Sequence, residues 1–202
     1  MNIGIDTRTY KYKTGIGWYV ANVIKELNRI DADNQYFLYS PDKLDLHFEL
    51  NNNFKVRENI GSKLKFYFSL PKLLKRDKID VYWGTNYILP RRIKNVKYVL
   101  TIHDLAIKKF KTIGSFKTTA TQKIFLDRSI KHADRIISDS IATKKDIIQL
   151  YNIDESKIKV VYLGTNLQEN NYKITEEQKE KIEEKFKIKN IPYLLFVSTL
   201  FI

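Results

Sequence analysis

Short runs of β-branched and aromatic residues recur along the chain, each separated from the next by a longer or more polar stretch. This alternation limits the architecture more than any other feature. The runs read NIGID, YFLYS, DVYWG, KYVLTIH, RIISDS, IKVVYLG and YLLFVST. Between several of them lie segments long enough for a crossover helix, with apolar residues at helical spacing. Near-continuous apolar strands joined by helices predict an α/β fold with a parallel, helix-covered sheet.

The crossover segments carry their own start signals. Val20, Val23, Ile24, Leu27 and Ile30 fall on one stripe after TGIG, the face expected to pack on the sheet. Ser140 follows RIIS as an N-cap for a helix running to about Tyr151, and Thr175 with Gln178 forms a capping-box pattern. After that helix comes NIPYLLFVST, a buried-type strand expected over Tyr193 to Leu200. An apolar strand at the end of a chain is an unsupported edge, so it is expected to open a second domain, with Gly164 to Asn171 as linker.

At 202 residues the chain can hold one well-buried domain and part of a second. Cysteine is absent, which excludes disulfides and thiolate metal sites. The start, MNIGIDTRTYK, lacks the pattern of a signal peptide, and the apolar YLLFVSTLFI is too short for a spanning helix, so a cytoplasmic protein is expected. The net charge of +13 suits phosphates, an acidic membrane face or nucleic acid. Nucleic acid is the weakest of these, because the basic residues are spread over many elements without a recognition motif.

Gly15, Ile16 and Gly17 stand at the mouth of the first amphipathic stretch, where free N–H groups and the helix dipole favour an anion. The dinucleotide fingerprint needs a third glycine where this chain has Val20, and a tight turn where it has TRTYKYK. A dinucleotide site is therefore not expected; the pair alone fits a shaped loop or a phosphate cradle.

NIGIDTRTY, TGIGWYVANVIKEL, DVYWGTNYILP, VLTIHDLA, HADRIISDSIATKKDII and KIKVVYLGTN occur in the order and rough spacing of one known domain. The chain resembles the amino-terminal half of retaining GT-B glycosyltransferases, and more narrowly the group 1, or GT4, family that includes many mannosyltransferases. That resemblance implies a Rossmann-like doubly wound parallel sheet with helices on both faces. It also implies an acceptor domain over 1–165, followed over 166–202 by the linker, helix and first strand of a donor domain. No cofactor is implied; the donor would be a nucleotide sugar, GDP-mannose by family frequency, and the acceptor a glycan or a lipid-linked sugar.

The same resemblance places the Gly15–Gly17 loop against the donor diphosphate and His103 beside the transferred sugar, with Asp104 ordering the acceptor site. Read without it, His103 is a hydrogen-bonded residue at a strand end and Asp104 a cap for the next segment. A His can orient hydroxyls or share a proton near neutrality. Asn86 and Tyr87, in WGTNYILP, offer a hydrogen bond and a flat stacking face to an acceptor, or form a turn closed by Pro90. Ser138 ends the RIIS run and could reach the acceptor, Ser140 could do so or cap a helix, and Asp6 and Arg8 read as an ion pair securing the first strand. A metal site is not expected, since only His47 and His132 could complete one.

KLKFYFSLPKLLKR, residues 63–76, clusters Lys65, Lys72, Lys75 and Arg76 on one side. One apolar flank is expected to pack on the sheet and a second, with Phe66, Leu70 and Leu73, to stay open for an anionic membrane surface; the alternative is that Pro71 breaks the helix and neighbouring loops bury both flanks. The basic donor-phosphate cluster and paired glutamates of the family do not occur in these residues. The expected function is thus that of an acceptor domain inactive without a donor domain in cis or in trans. The competing reading is a stand-alone, non-catalytic module that binds a glycan, a lipid or a partner.

Overall fold

The computed structural model describes residues 1–12, 14–109, 116–164 and 174–195, and of residues 63 and 116–122 only the backbone. The chain forms two compact units, Met1–Leu163 and Gly164–Ile202.

The first unit is built on seven parallel strands: β1 (Asn2–Asp6), β2 (Gln35–Tyr39), β3 (Phe54–Arg57), β4 (Val81–Gly84), β5 (Lys97–Ile102), β6 (Arg135–Ser138) and β7 (Ile158–Val160). Their order across the sheet is β3-β2-β1-β4-β5-β6-β7, with every neighbouring pair parallel. The chain therefore winds outward in one direction from β1 and then in the other from β4, which is the doubly wound arrangement expected from the sequence. Between β1 and β4 the strand order reverses, and open α/β sheets leave a ligand crevice at the carboxyl ends there.

Alternate side chains of β2 divide between two separate cores. Tyr36 and Leu38 join Ile5 of β1 and Val20 and Ile24 of α1 (Gly15–Ile30) on one face. Phe37 and Tyr39 join the opposite core with Phe66, Leu70 and Leu74 of α2 (Lys63–Arg76), Leu126 and Ile130 of α4 (Phe116–His132) and Ile147 of α5 (Ile141–Tyr151). The short α3 (Ala106–Lys109) follows β5. Two cores, one on each side, mean that both faces of the sheet are covered, as parallel strands require.

The helix starts hold. Ser140 accepts the Thr143 N–H at 3.0 Å and caps α5, while Thr175 and Gln178 form a complete capping box on α6 (Glu176–Phe186) in the second unit. The α1 stripe is shorter than expected. Val20 and Ile24 are buried, but Ile30, in the last turn, is 64% exposed.

Two expectations for α2 are corrected. Pro71 lies inside a continuous helix rather than ending it, and Phe66 and Leu70 are fully buried, with Leu73 partly so. A proline inside a helix costs about 3 kcal/mol. Burying Phe66, Leu70 and Leu74, at about 1.5–3 kcal/mol each, more than offsets it. The apolar side chains left exposed on α2 are instead Leu64 and Phe68.

The run IKVVYLG pairs only as far as Val160, after which Val161, Tyr162 and Leu163 are exposed. Of the strand expected over Tyr193 to Leu200, residues 193–195 carry no strand pairing, and 196–200 lie outside the described residues. The linker expected over Gly164 to Asn171 lies outside them after Gly164.

Candidate functional site

The residues singled out in the sequence collect at the carboxyl ends of four adjacent strands. Asp6 and Arg8 lie at and just beyond the end of β1, Asn86 and Tyr87 beyond β4, His103 and Asp104 beyond β5, and Ser138 is the last residue of β6. Parallel strands deliver their carboxyl ends to the same edge, so residues scattered from Asp6 to Ser138 are brought to one side of the sheet.

Across the β1/β4 reversal the chain is tied by buried polar contacts. Arg8 pairs with Asp6 at 3.3 Å and donates from Nη2 to the Asn86 carbonyl, while the Thr85 hydroxyl donates to the Asp6 carbonyl at 2.7 Å. The Arg8 guanidinium lies 4.7 Å from the centre of the Tyr67 ring. Burial pushes the Asp6 carboxyl up from its ordinary value, and the Arg8 charge only partly reverses this. The expected Asp6–Arg8 ion pair is therefore present, and with the Asn86 and Thr85 contacts it ties the ends of β1 and β4 together.

The glycines of α1 differ from one another. A Cβ built on Gly17 would lie 3.0 Å from the Thr9 carbonyl oxygen and 3.3 Å from that of Tyr10, so this glycine lets the helix approach the β1–α1 connection. Gly15 has open space around it, and the N-cap residue Thr14 makes no side-chain capping bond. With Ile16 between them, they leave the amino end of a 16-residue helix without a side-chain cap at the carboxyl edge of β1.

His103 is the most constrained group at this edge. Its Nδ1 lies 2.5 Å from Asp139 Oδ2 and its Nε2 lies 3.0 Å from the Thr85 carbonyl oxygen. The Tyr19 ring of α1 meets the imidazole edge to face, with centroids 4.9 Å apart. The Tyr19 hydroxyl is 3.3 Å from Thr101 Oγ1 and is pushed up to about 12, by burial first and also by the negative charge of Asp139. From α5, Thr143 Oγ1 donates to the His103 carbonyl, and the Ser140 hydroxyl donates to Thr143 in turn. Both ring nitrogens thus lie within hydrogen-bond distance of an oxygen.

Asp104 is exposed, and its carboxylate accepts the Ala106 N–H at 2.9 Å, the local cap that its position suggests. Tyr87 adopts a left-handed φ of 47°, a costly conformation for an aromatic residue that is found where the surroundings impose it. Burial, and after it the charge of Asp104, pushes the Tyr87 hydroxyl well up. Ser138 is fully buried and its hydroxyl finds no partner, as do Asn86 Oδ1, Asp139 Oδ1 and Arg8 Nη1 among the described residues. Asp139, Tyr19 and Thr143 carried no signal as site residues, because their importance lies in contacts to β5 across long sequence separations. His132 is exposed at the end of α4, and among the described residues no cluster of three potential metal ligands forms.

Comparison with known proteins identifies the fold and the family. The curated proteins contain no match to the sequence. Among solved structures, HepE from Anabaena in complex with UDP-glucose superposes with a TM-score of 0.56 at 13% identity, covering 94% of this chain and 50% of that one. HepE with UDP and glucose gives 0.57 at 15% identity, over 94% and 51%. The lipopolysaccharide outer core galactosyltransferase WaaB in its apo form gives 0.52 at 14%, over 82% and 46%. These likenesses show a shared fold, and the chain spans about half the length of each. The model of Glycosyltransferase Family 4 matches residues 13–169, most of the chain and nearly all of the doubly wound unit. With its six motifs in register and its parallel sheet ending in this edge, the chain belongs to Glycosyltransferase Family 4.

Proposed function

We propose that this chain supplies the acceptor-side half of a retaining sugar transferase, which passes a sugar from a nucleotide sugar to a glycan or lipid-linked acceptor. The observation that carries this reading is the convergence of His103, Asn86, Tyr87 and the uncapped end of α1 at the β1/β4 reversal. In this reading the Gly15–Gly17 turn faces the donor diphosphate, Tyr87 stacks on the acceptor and His103 lies beside the transferred sugar. Asp104 orders the neighbouring loop, and Ser138 supports the acceptor wall from beneath.

Leaving-group charge must be met by positioned positive charge in such a transfer. Because the chain spans half of its structural neighbours, turnover is proposed to need a second, donor-holding domain in cis or in trans. HepE was solved with UDP-glucose and with UDP, which favours a nucleotide sugar here; GDP-mannose remains the donor suggested by family frequency.

The test is a nucleotide-sugar panel assayed with the 202-residue chain alone and with a two-domain form of the protein. Transfer should occur with the two-domain form and be negligible without it. His103→Ala in the active form should reduce kcat about 10²–10³-fold, the effect of removing one donor aimed at developing charge. Transfer at wild-type rates by that variant would defeat the assignment of His103.

A peripheral contact with an anionic membrane is a second part of the proposal, carried by α2. Leu64 and Phe68 are 68% and 78% exposed one helical turn apart, beside the exposed Lys65, Lys72 and Lys75. Among the described residues no helix is long and apolar enough to cross a membrane. Co-sedimentation with anionic vesicles should appear at low salt and weaken with Leu64→Ser and Phe68→Ser together; no binding at low salt would remove this contact.

A further inference from the structure

We infer that Asp139 is a positioning residue that holds His103 as a doubly protonated imidazolium, so that His103 meets ligands as a fixed positive charge and not as a proton acceptor. Three observations converge on this. First, Nδ1 faces the Asp139 carboxylate at 2.5 Å and Nε2 faces the Thr85 carbonyl at 3.0 Å. A neutral imidazole has one N–H, so one of these contacts would set a ring lone pair against an oxygen lone pair; only the cation donates to both.

Second, Asp139 is itself nearly enclosed. Its side chain is 12% exposed, that of His103 is 10% exposed, and Asp139 Oδ1 has no hydrogen-bond partner among the described residues. His103 is the one ion-pair partner that Asp139 has among those residues, and a desolvated carboxylate needs a cation beside it. Third, the ring is clamped from other elements. Tyr19 of α1 meets it edge to face, and Thr143 of α5 holds the His103 carbonyl at 3.1 Å. Charge and orientation are thus set together.

The ionisable groups that meet the ring are Asp139 from the β6–α5 link and Tyr19 from α1, and Tyr87 beyond β4 feels the charges of Asp104 and Asp139. Burial keeps both phenols neutral. The consequence rests on the function proposed above: His103 would stabilise negative charge on the departing diphosphate electrostatically, with no proton transfer at the ring.

The experiment reads the ring directly and needs no substrate, so it fails or succeeds independently of that function. Long-range proton–nitrogen correlation spectra of the 15N-labelled chain at neutral pH report both nitrogens of each of its three histidines, and His103→Gln assigns the signal. The expected result is a His103 ring with both nitrogens protonated in the wild type and neutral in Asp139→Asn, with Asp139→Glu restoring the cation. A neutral His103 ring in the wild type overturns the inference, and that spectrum alone decides if Asp139→Asn does not fold. A cation that persists in folded Asp139→Asn overturns the role of Asp139.

Discussion

The amino and carboxyl edges of the sheet use the same residue types and complete them differently. At the amino edge the aspartates are satisfied. Asp80 accepts the Asn2 N–H at 2.7 Å, Asp134 accepts the Tyr98 N–H at 2.8 Å and pairs with Arg92, and Asp31 accepts from Asn34 and the Tyr36 hydroxyl. At the carboxyl edge Arg8, Asn86, Ser138 and Asp139 each keep a buried polar atom without a hydrogen bond among the described residues, and Asp6 Oδ2 is held only by its ion pair with Arg8. A buried unpaired group costs about 1–3 kcal/mol. The carboxyl edge thus gives up stability that the amino edge keeps with the same residue types.

The largest expected effect would come from opening the buried pair at the carboxyl edge. Arg8→Ala removes the cation beside fully buried Asp6 and the donor to the Asn86 carbonyl. It should destabilise the chain by about 3–5 kcal/mol, read as a shift of the urea midpoint. A loss below about 1 kcal/mol would mean that Asp6 is carried neutral, and the contrast between the edges would then be one of hydrogen bonding alone.

Next in size is Asp134→Asn at the amino edge, which keeps the shape but loses a charged acceptor and should cost about 1–3 kcal/mol. Its pH dependence sharpens the comparison. Burial opposes ionisation of Asp134, but the Tyr98 N–H, Arg92 and Lys97 outweigh it and hold the carboxyl below its ordinary value. Its contribution is therefore present above the ordinary carboxylate range, near 4, and is lost as pH falls through the folded value. Asp6 is raised, so its contribution has the opposite sign: it is greatest below that range and is lost as pH rises through the folded value. In urea midpoints followed from neutral to acid pH, Asp134→Asn should flatten the acid loss and Asp6→Asn should steepen it. Slopes moving in the same direction for both would contradict the assigned signs.

How much of this was legible in sequence follows from where each signal lies. β1, β2, β4, β5 and β6 announce themselves because both of their faces are buried, which leaves near-continuous apolar runs. β3, reading FKVR, escapes because it is a four-residue edge strand with Lys55 and Val56 exposed. The helical spacing of α2 shows two apolar flanks but cannot tell which one meets the sheet; the core takes Phe66, Leu70 and Leu74 and leaves Leu64 and Phe68 outside. His103 could be marked by its place at a strand end and by the family motifs. Asp139, 36 residues away, could not, because only the pairing of β5 with β6 brings the two side chains together. The left-handed Tyr87 likewise has no sequence signature, since nothing in the local residue types calls for a positive φ.

The smallest effects separate the two glycines that open α1. In Gly17→Ala the new Cβ would meet backbone oxygen at 3.0 Å, so the helix or the β1–α1 connection must move, at a cost of about 1–3 kcal/mol. In Gly15→Ala the Cβ would meet nothing within 4 Å, and the change in stability should stay within about 0.5 kcal/mol. Thermal melts of the two variants measure the difference. If both glycines exist only to shape the turn, Gly15→Ala should be silent in every assay. If the end of α1 receives an anion, Gly15→Ala should melt like the wild type and yet bind nucleotide sugar more weakly when assayed with the donor-holding domain proposed above, because the added methyl group narrows the approach to the helix N–H groups. That pairing of unchanged stability with weakened binding would place Gly15 with the unfinished carboxyl edge and leave Gly17 to the scaffold.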